Sequence, residues 1–310
     1  ALIPFADHPV PAVRRAAVGP ALASGHPDAL VKLKALEQDP DEGVQTAARA
    51  AAQGLAATAP PLVVSMLGRF SIRRGAWVVD ETAWGRPLTA RLVRFLLVHR
   101  GSLVPEDLLF EAFWPDRSAA AARRNLQVAV SRARQVLDPP GREESTIEVV
   151  DRSYVLQLGD QDLIDVDEFD AVASAALADR GPSRLALIER AHALWGGEPL
   201  PEDRYAEWAV AWRERIVDRY IELLGALVEA YSAAGDHAAA IQAARELVDL
   251  DPLNEHAHRE LMASYARAGR TGHALRQYLE CRRTLIDELG VEPAEATSVL
   301  QARILAGQPV

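Results

Sequence analysis

The sequence is poor in cysteine, since its 310 residues include only Cys281. A single cysteine excludes an internal disulfide and a zinc site built from several thiolates, and it agrees with a reducing, cytoplasmic environment. No apolar run reaches the roughly 18 residues that a transmembrane helix needs, and no signal-peptide pattern is present. We therefore expect a cytoplasmic protein with no membrane partner. Because the chain begins at Ala1 rather than Met, we also expect it to be processed or part of a longer protein.

Catalytic and metal-binding motifs are also lacking. The eight histidines follow no metal-ligand spacing, and His256 and His258 would lie on different faces of a helix. An acidic cluster is better explained as a solvated helix start than as a metal loop, and it comprises Asp162, Asp165, Asp167 and Asp170. The sequence has no nucleophile elbow, phosphate-binding loop or dinucleotide-binding loop. We therefore expect no enzymatic activity, no cofactor and no metal.

Basic residues do not dominate the chain as a whole, but they do dominate its middle. The formal net charge is −10, yet residues 62–158 carry 14 Lys and Arg against 11 Asp and Glu. Residues 159–310 carry 15 against 27. An acidic surface repels nucleic acid and a basic one attracts it. The acidic remainder of the chain would therefore limit nucleic acid to one surface, and because an excess of three positive charges is modest, the local clustering of basic residues matters more than their total.

The basic residues of this part concentrate in a stretch without any acidic residue, AAARRNLQVAVSRARQVL, residues 120–137. Ala, Arg, Leu and Gln favour a helix, which Ser118 would cap and Asp138-Pro139-Pro140-Gly141 would end. Its apolar residues share one face at about 100° per residue. The opposite face and its margins carry Arg123, Arg124, Asn125, Gln127, Ser131, Arg132, Arg134 and Gln135. Such side chains bind phosphates and base edges. The alternative is an ordinary amphipathic surface helix, although such helices usually mix Glu with Arg.

The elements around this helix follow the order of a winged helix-turn-helix. The sequence predicts, in chain order, strands at Leu62–Ile72, at Ala76–Asp80 and near Trp84, helices at Thr89–His99 and Pro105–Trp114, the cationic helix at 118–137, and strands at Ser145–Val150 and Ser153–Leu158. A short turn joins the second and third helices, and Asp151-Arg152 would close a two-residue hairpin. In such domains the third helix enters the major groove of DNA.

Both flanking segments have helical patterns with internal repeats. In residues 1–61, HPVPAVRRAA recurs as DPDEGVQTAA at an offset of 31, which resembles a HEAT-type repeat or is an accidental feature of an Ala-rich hairpin. In residues 161–310, LVEAYSAAGDHAAAI recurs as LMASYARAGRTGHAL at an offset of 34, the tetratricopeptide period. The predicted fold is therefore mainly α, with a HEAT-like segment at 1–61, an α+β winged helix at 62–160 and an all-α tetratricopeptide-like domain at 161–310.

Several motifs together resemble the SARP family of bacterial transcriptional activators, which join an OmpR-type winged helix to a bacterial transcriptional activator domain (BTAD). The resemblance covers about 240 of the 310 residues. It is carried by LGRFSIRRG from Leu67, LTARLVRFLLVHRGSLVPEDLLFEAFWPD at Leu88–Asp116, NLQVAVSRARQVL at Asn125–Leu137, VDRSYVLQL at Val150–Leu158, VDEFD at Val166–Asp170 and DELGVEPAEA at Asp287–Ala296. Gln127 stands where the family often has Arg and Ala133 where it often has Leu, so the base preference and the packing under the helix are expected to differ from those of the family.

The resemblance implies roles for the cationic helix and the wing. Arg132 and Gln127 would meet base edges, while Arg124, Asn125 and Arg134 would bind phosphates. Arg152 at the wing tip would reach the adjacent minor groove or its backbone. Tyr154 would either pack beneath the wing or contact a phosphate. With these residues, Arg123 and Ser131 complete the predicted DNA-binding set.

The resemblance also implies partners. Activation requires RNA polymerase, for which the turn between the second and third helices is the expected contact, with Trp114, Asp116 and Arg117, together with the concave face of the repeats. Paired protomers would read direct repeats in promoters, so a homodimer on DNA and a nucleoid location are expected. The alternative from another class is a tetratricopeptide scaffold that binds proteins, in which the winged helix is only structural.

Overall fold

A computed structural model of the chain describes residues 3–23, 27–58, 60–75, 77–138 and 145–310. Helices dominate it, and the strands form two small sheets. The chain divides into two compact units. The first unit comprises residues 1–66, 70–164 and 200–210, and the second comprises residues 67–69, 165–199 and 211–310. No helix in the described ranges is both long and apolar enough to cross a membrane.

The N-terminal segment of the first unit is helical, as its sequence predicts. After a 3-10 helix at Ile3–Asp7 it forms α1 (Pro11–Ala23), α2 (Pro27–Leu36) and α3 (Glu42–Thr58). These helices share a small apolar core of Ala6, Val18, Leu33, Leu36, Val44, Ala48 and Ala52. Arg14 of α1 also forms an ion pair with Asp39, which follows α2, and the Nη2 and Oδ1 atoms lie 2.7 Å apart. The HEAT-type character of this segment stays a prediction.

The first sheet has the strand order β3-β2-β1-β7, with β1 at Leu62–Ser65, β2 at Ser71–Arg74, β3 at Trp77–Val78 and β7 at Leu163–Ile164. The strand predicted at 62–72 is therefore two antiparallel strands, because Gly68, with φ +81°, interrupts the extended backbone. The strand predicted near Trp84 is wrong. Asp80 accepts a hydrogen bond from the Ala83 amide and caps a 3-10 helix at Glu81–Trp84 instead.

The helix-turn-helix follows in the predicted order. It consists of α4 (Pro87–Val98), α5 (Glu106–Phe113) and α6 (Ala119–Leu137), and the second sheet has the order β4-β6-β5 with β4 at Val104–Pro105, β5 at Ile147–Val150 and β6 at Ser153–Leu156. The sequence predicts Pro105 as the first residue of the second helix, and this is wrong. Pro105 belongs to β4, because its backbone is extended at ψ 145°.

A two-residue hairpin turn joins β5 to β6, as predicted. Asp151 and Arg152 both have positive φ, at 46° and 63°, the conformation of the tight turns that match strand twist. In the register of the hairpin Val150 pairs with Ser153 and Val149 with Tyr154. The predicted helix stop at Pro139, Pro140 and Gly141 lies outside the described residues.

The second unit is helical. Its helices are α7 (Asp165–Ala178), α8 (Arg184–Leu194), α9 (Glu207–Ala234, which begins in the first unit), α10 (His237–Leu250), α11 (Glu255–Arg267), α12 (Thr271–Leu289) and α13 (Glu295–Leu305). Gly235 and Gly269 both have positive φ at the turns before α10 and α12, which matches their 34-residue offset. Tyr220 stacks on Trp195 with ring centroids 3.9 Å apart. The tetratricopeptide assignment and the domain boundaries at 61/62 and 160/161 stay predictions.

Candidate nucleic-acid interface

The cationic helix α6 is held by its apolar face. Ser118 accepts a hydrogen bond from the Ala121 amide at 3.4 Å, so the predicted N-cap is in place. The side chains on the inner face are buried against the rest of the winged helix, and they are Ala122, Leu126, Ala129, Val130, Ala133, Val136 and Leu137. Burial of such a face stabilises a helix more than its intrinsic propensity does. The outer face is thereby fixed in orientation.

The outer face of α6 has no acidic side chain. Its exposed residues are Arg124, Asn125, Gln127, Val128, Ser131, Arg132 and Gln135. The Arg132 Nη1 donates to Gln135 Oε1 at 3.0 Å, which aligns two side chains that can both meet a base edge. Val128 is 64% exposed in the middle of this polar surface. The face therefore offers hydrogen-bond donors, amides and one apolar side chain together.

Arg123 and Arg152 converge on one buried carboxylate. Arg123 Nε donates to Glu106 Oε2 at 2.9 Å, and Nη2 of Arg123 and Nη2 of Arg152 both donate to Glu106 Oε1. The Glu106 side chain is 6% exposed, against 40% for Arg123 and 68% for Arg152. The amide of Glu106 also donates to the Arg152 carbonyl at 3.0 Å. Glu106 thus ties together α5, the wing tip and α6, which we call the recognition helix because it is the helix expected to enter the groove.

Arg134 links the recognition helix to the wing from the other end. Its Nε and Nη2 donate to the Ile147 carbonyl at 2.9 and 2.6 Å. Tyr154 is 6% exposed, so the structure places its side chain in the packed interior beneath the wing. Burial raises the pKa of the Tyr154 phenol, while the positive charges of Arg134 and Arg123 oppose that rise. Arg134 and Tyr154, which the sequence predicts as DNA contacts, therefore also hold the wing against α6.

An open cleft runs between the recognition helix and the wing. Its volume is about 540 Å³, and it is lined by Lys34, Gln127, Val130, Ser131, Arg134, Gln135, Asp138, Ser145, Val149 and Tyr154. Among the described residues that line the cleft, Asp138 is the one carboxylate, and its oxygens accept hydrogen bonds from Ser145 Oγ at 2.7 Å and from the Thr146 amide at 2.8 Å. The cleft is therefore lined mainly by donors and cations, which suits an anion.

The turn between α5 and α6 exposes part of the predicted polymerase-contact set. Asp116 and Arg117 are exposed, and Trp114 is half-buried with its ring 5.8 Å from that of Phe113. The Arg117 amide donates to the Trp114 carbonyl at 3.0 Å, which closes the turn. These three residues form one surface at the start of the recognition helix.

Sequence reasoning missed two residues of this region. Val128 lies on the polar arc of α6, and its position there was the available signal for an exposed apolar contact. Glu106 had no such signal, because its role depends on arginines 17 and 46 residues away in sequence.

A winged helix whose third helix exposes a carboxylate-free face, followed by an all-helical part, is an arrangement that suits a DNA-binding regulator. The comparisons agree: residues 81–156 match the family "Transcriptional regulatory protein, C terminal", and residues 164–305 match the family "Bacterial transcriptional activator domain". The two matches together cover more than two thirds of the chain. The chain belongs to the SARP-type family of bacterial transcriptional activators, as its motifs predict.

Named relatives in this family are transcriptional regulators, and none of the matched families is one of enzymes. Regulatory protein AfsR of Streptomyces coelicolor is 31% identical over 76% of this chain, and the chain spans about a quarter of AfsR (24%). Transcriptional regulator RedD of the same species is 33% identical over 71% of this chain and 64% of RedD. A structure of Mycobacterium tuberculosis EmbR in complex with a low-affinity phosphopeptide has a TM-score of 0.66 at 25% identity, covering 80% of this chain and 66% of EmbR.

Proposed function

We propose that this protein is a sequence-specific transcriptional activator that reads promoter direct repeats with the helix at 118–137 and the wing at 145–158 and recruits RNA polymerase. The observation that carries the proposal is the outer face of α6. It projects arginine, amide, hydroxyl and valine side chains and no carboxylate. In a chain of net charge −10, such a surface restricts contact with a polyanion to one place.

Base readout is assigned to the exposed centre of α6. Arg132 is exposed and can form the two-pronged contact to guanine, and Gln127 is exposed and can pair with adenine. Val128 is exposed and can contact a thymine methyl group. Each good two-pronged pair contributes about 1–3 kcal/mol of discrimination. The hydrogen bond from Arg132 to Gln135 orients the guanidinium before DNA arrives.

Phosphate binding is assigned to the margins of the helix and to the wing. Arg124, Asn125 and Ser131 are exposed and face outward from α6. Arg152 is 68% exposed despite its pairing with Glu106, so its guanidinium can reach a phosphate while it stays near that carboxylate. Arg123 and Arg134 act chiefly by fixing the helix and the wing, because their donors are committed to Glu106 and to the Ile147 carbonyl.

RNA polymerase is assigned to the exposed turn at Trp114, Asp116 and Arg117. A variant with Asp116→Ala and Arg117→Ala should keep operator binding and lose activation in a reconstituted transcription assay. Equal activation by the variant and the parent protein would remove this surface from the proposal. Because one winged helix makes few contacts, we also propose that two protomers bind a direct repeat side by side, and hence a location at the nucleoid.

Selection from a randomised duplex library, followed by binding across a salt series, tests the proposal. We expect enrichment of a direct repeat, with an affinity that falls steeply as salt rises. Arg132→Ala should relax the selected motif, whereas Arg124→Ala should weaken all sequences alike and lower the salt slope by about one unit. Arg276→Ala, at an exposed arginine of α12, is the matched control. Absence of any salt-sensitive binding would refute the proposal and favour a protein-binding scaffold.

A further inference from the structure

We infer that Lys34 of α2 binds a DNA phosphate beside the recognition helix, so that the N-terminal helical segment forms part of the DNA-binding surface. This inference rests on the proposed function and adds a contact that the winged helix alone does not provide. It assigns a role to residues 1–61, which lie outside both matched families.

The position of Lys34 is the first observation. It lines the cleft between α6 and the wing together with Gln127, Ser131 and Gln135, all three exposed on the outer face of α6. A DNA strand whose groove holds α6 and whose neighbouring groove meets the wing passes between these two elements. Lys34 therefore lies beside the expected path of the backbone.

The charge of Lys34 is the second observation. In the ranges that the structure describes, its side chain forms no ion pair and no hydrogen bond with another residue, whereas neighbouring cations are engaged. Lys32 pairs with Asp7, and Arg14 pairs with Asp39. Asp138, the one carboxylate among the lining residues that the structure describes, is already hydrogen-bonded to Ser145 and Thr146. An uncompensated cation among neutral donors is suited to a phosphate oxygen.

The third observation is that the segment is tethered closely to the winged helix. Helix α3 ends at Thr58 and β1 begins at Leu62, so only a few residues separate them. Arg74 Nη1 donates to the Pro60 carbonyl at 2.8 Å, and Nη2 of the same guanidinium donates to the Leu137 carbonyl at 3.0 Å. One side chain thus joins the linker to the last turn of the recognition helix. Phosphate contact by Lys34 then requires little further ordering on binding.

The opposite possibility is that the N-terminal segment covers the outer face of α6 and so blocks DNA binding. A cover would bury the base-reading side chains of α6, but Gln127, Ser131 and Gln135 stay exposed beside Lys34. The cleft is open, and among its described lining residues the one carboxylate, Asp138, is already hydrogen-bonded. These features favour a contact over a cover.

The test uses the full chain and the duplex enriched by selection. Lys34→Ala should weaken binding to the operator and to unrelated duplexes alike, by about two- to fivefold, the range of an exposed charge pair, and should lower the salt slope by about one unit. Lys34→Glu should weaken binding further, and Lys34→Arg should restore the parent affinity. Lys32→Ala, which removes the same charge from the same helix outside the cleft, should leave the slope unchanged.

Two results would overturn the inference while the parent protein still binds its operator. One is a Lys34→Ala variant with the parent affinity and salt slope. The other is tighter binding by Lys34→Ala or Lys34→Glu, which would make the segment a cover. A parent protein that binds no duplex would instead refute the proposed function, and the inference with it. Circular dichroism of each variant checks that α2 remains folded.

Discussion

Replacing Glu106 by Gln should loosen the wing while it makes DNA binding less selective. The substitution keeps the shape of the side chain and removes the negative charge that Arg123 and Arg152 share. Breaking a fully buried pair costs about 3–5 kcal/mol, and an exposed pair contributes about 0.2–1 kcal/mol. Glu106 is buried, but its partners are 40% and 68% exposed and remain solvated without it. We therefore expect a local destabilisation of about 1–2 kcal/mol for Gln and somewhat more for Ala.

Hydrogen exchange of the amides in β5 and β6 measures this effect, because it reports local opening without assuming that the whole chain unfolds in two states. A change of one or two kcal/mol corresponds to a factor of about 5–30 in the exchange of these amides. Glu111→Gln makes the same charge change at an exposed site of α5 and should leave that exchange within about twofold.

The DNA-binding consequence has the opposite sign. Without Glu106, two guanidinium groups near the DNA surface lose their counter-charge. Binding to unrelated duplexes should therefore tighten at low salt, with a steeper salt slope, while the preference for the operator falls because the wing is less well fixed. If hydrogen exchange in β5 and β6 equals that of the Glu111→Gln variant, the Glu106 carboxylate does not hold the wing. If the salt slope of DNA binding is unchanged, the carboxylate does not neutralise Arg123 and Arg152.

Three further predictions follow from individual side chains. Val128→Ala should reduce the preference for thymine at one operator position by up to about fifteenfold, from the loss of two buried methyl groups at about 0.8 kcal/mol each, with an unchanged melting temperature because Val128 is exposed. Burial raises the pKa of the Cys281 thiol to about 11, so Cys281 should react with a disulfide reagent at pH 8 only after denaturation. Burial raises the folded-state pKa of Tyr154 above 10.0, so its contribution to stability is complete below about pH 10 and is lost as the pH rises toward the folded value. Tyr154→Phe should remove this loss, which melting curves recorded below and above about pH 10 would measure.

Much of the fold could be predicted from the sequence because local patterns determine it. The 3.6-residue period of α6, its Ser118 cap and the alternation of the wing strands depend on near neighbours, and each element appears where it was expected. The predictions of strands are wrong at places where one residue determines whether the backbone stays extended. Gly68 divides the predicted first strand, and Asp80 caps a short helix in place of the strand near Trp84.

The candidate site was less predictable, because distant parts of the chain assemble it. The helical periodicity of α6 separates outward-facing from inward-facing side chains. It cannot show that Arg123 donates to Glu106 or that Arg134 donates to the Ile147 carbonyl. Lys34 is a still clearer case, since it belongs to a segment with no link in sequence pattern to the winged helix. Ion pairing over long sequence separations decides which arginines are free for a partner.

Asp203 makes the chain difficult to divide. Its carboxylate lies 3.0 Å from the Nε of Arg91 and 2.5 Å from the Nε of Arg94. In sequence, however, Asp203 follows residues 165–199, which belong to the second unit. Trp208, from the same stretch, lies 5.2 Å from Phe95 between ring centroids. A fusion protein that contained only residues 62–164 of this chain would include Arg91 and Arg94 but lack the carboxylate of Asp203. Exchange of such regulators between genomes should therefore preserve the two parts as one inherited block, and a nick within 165–199 should leave the severed pieces associated.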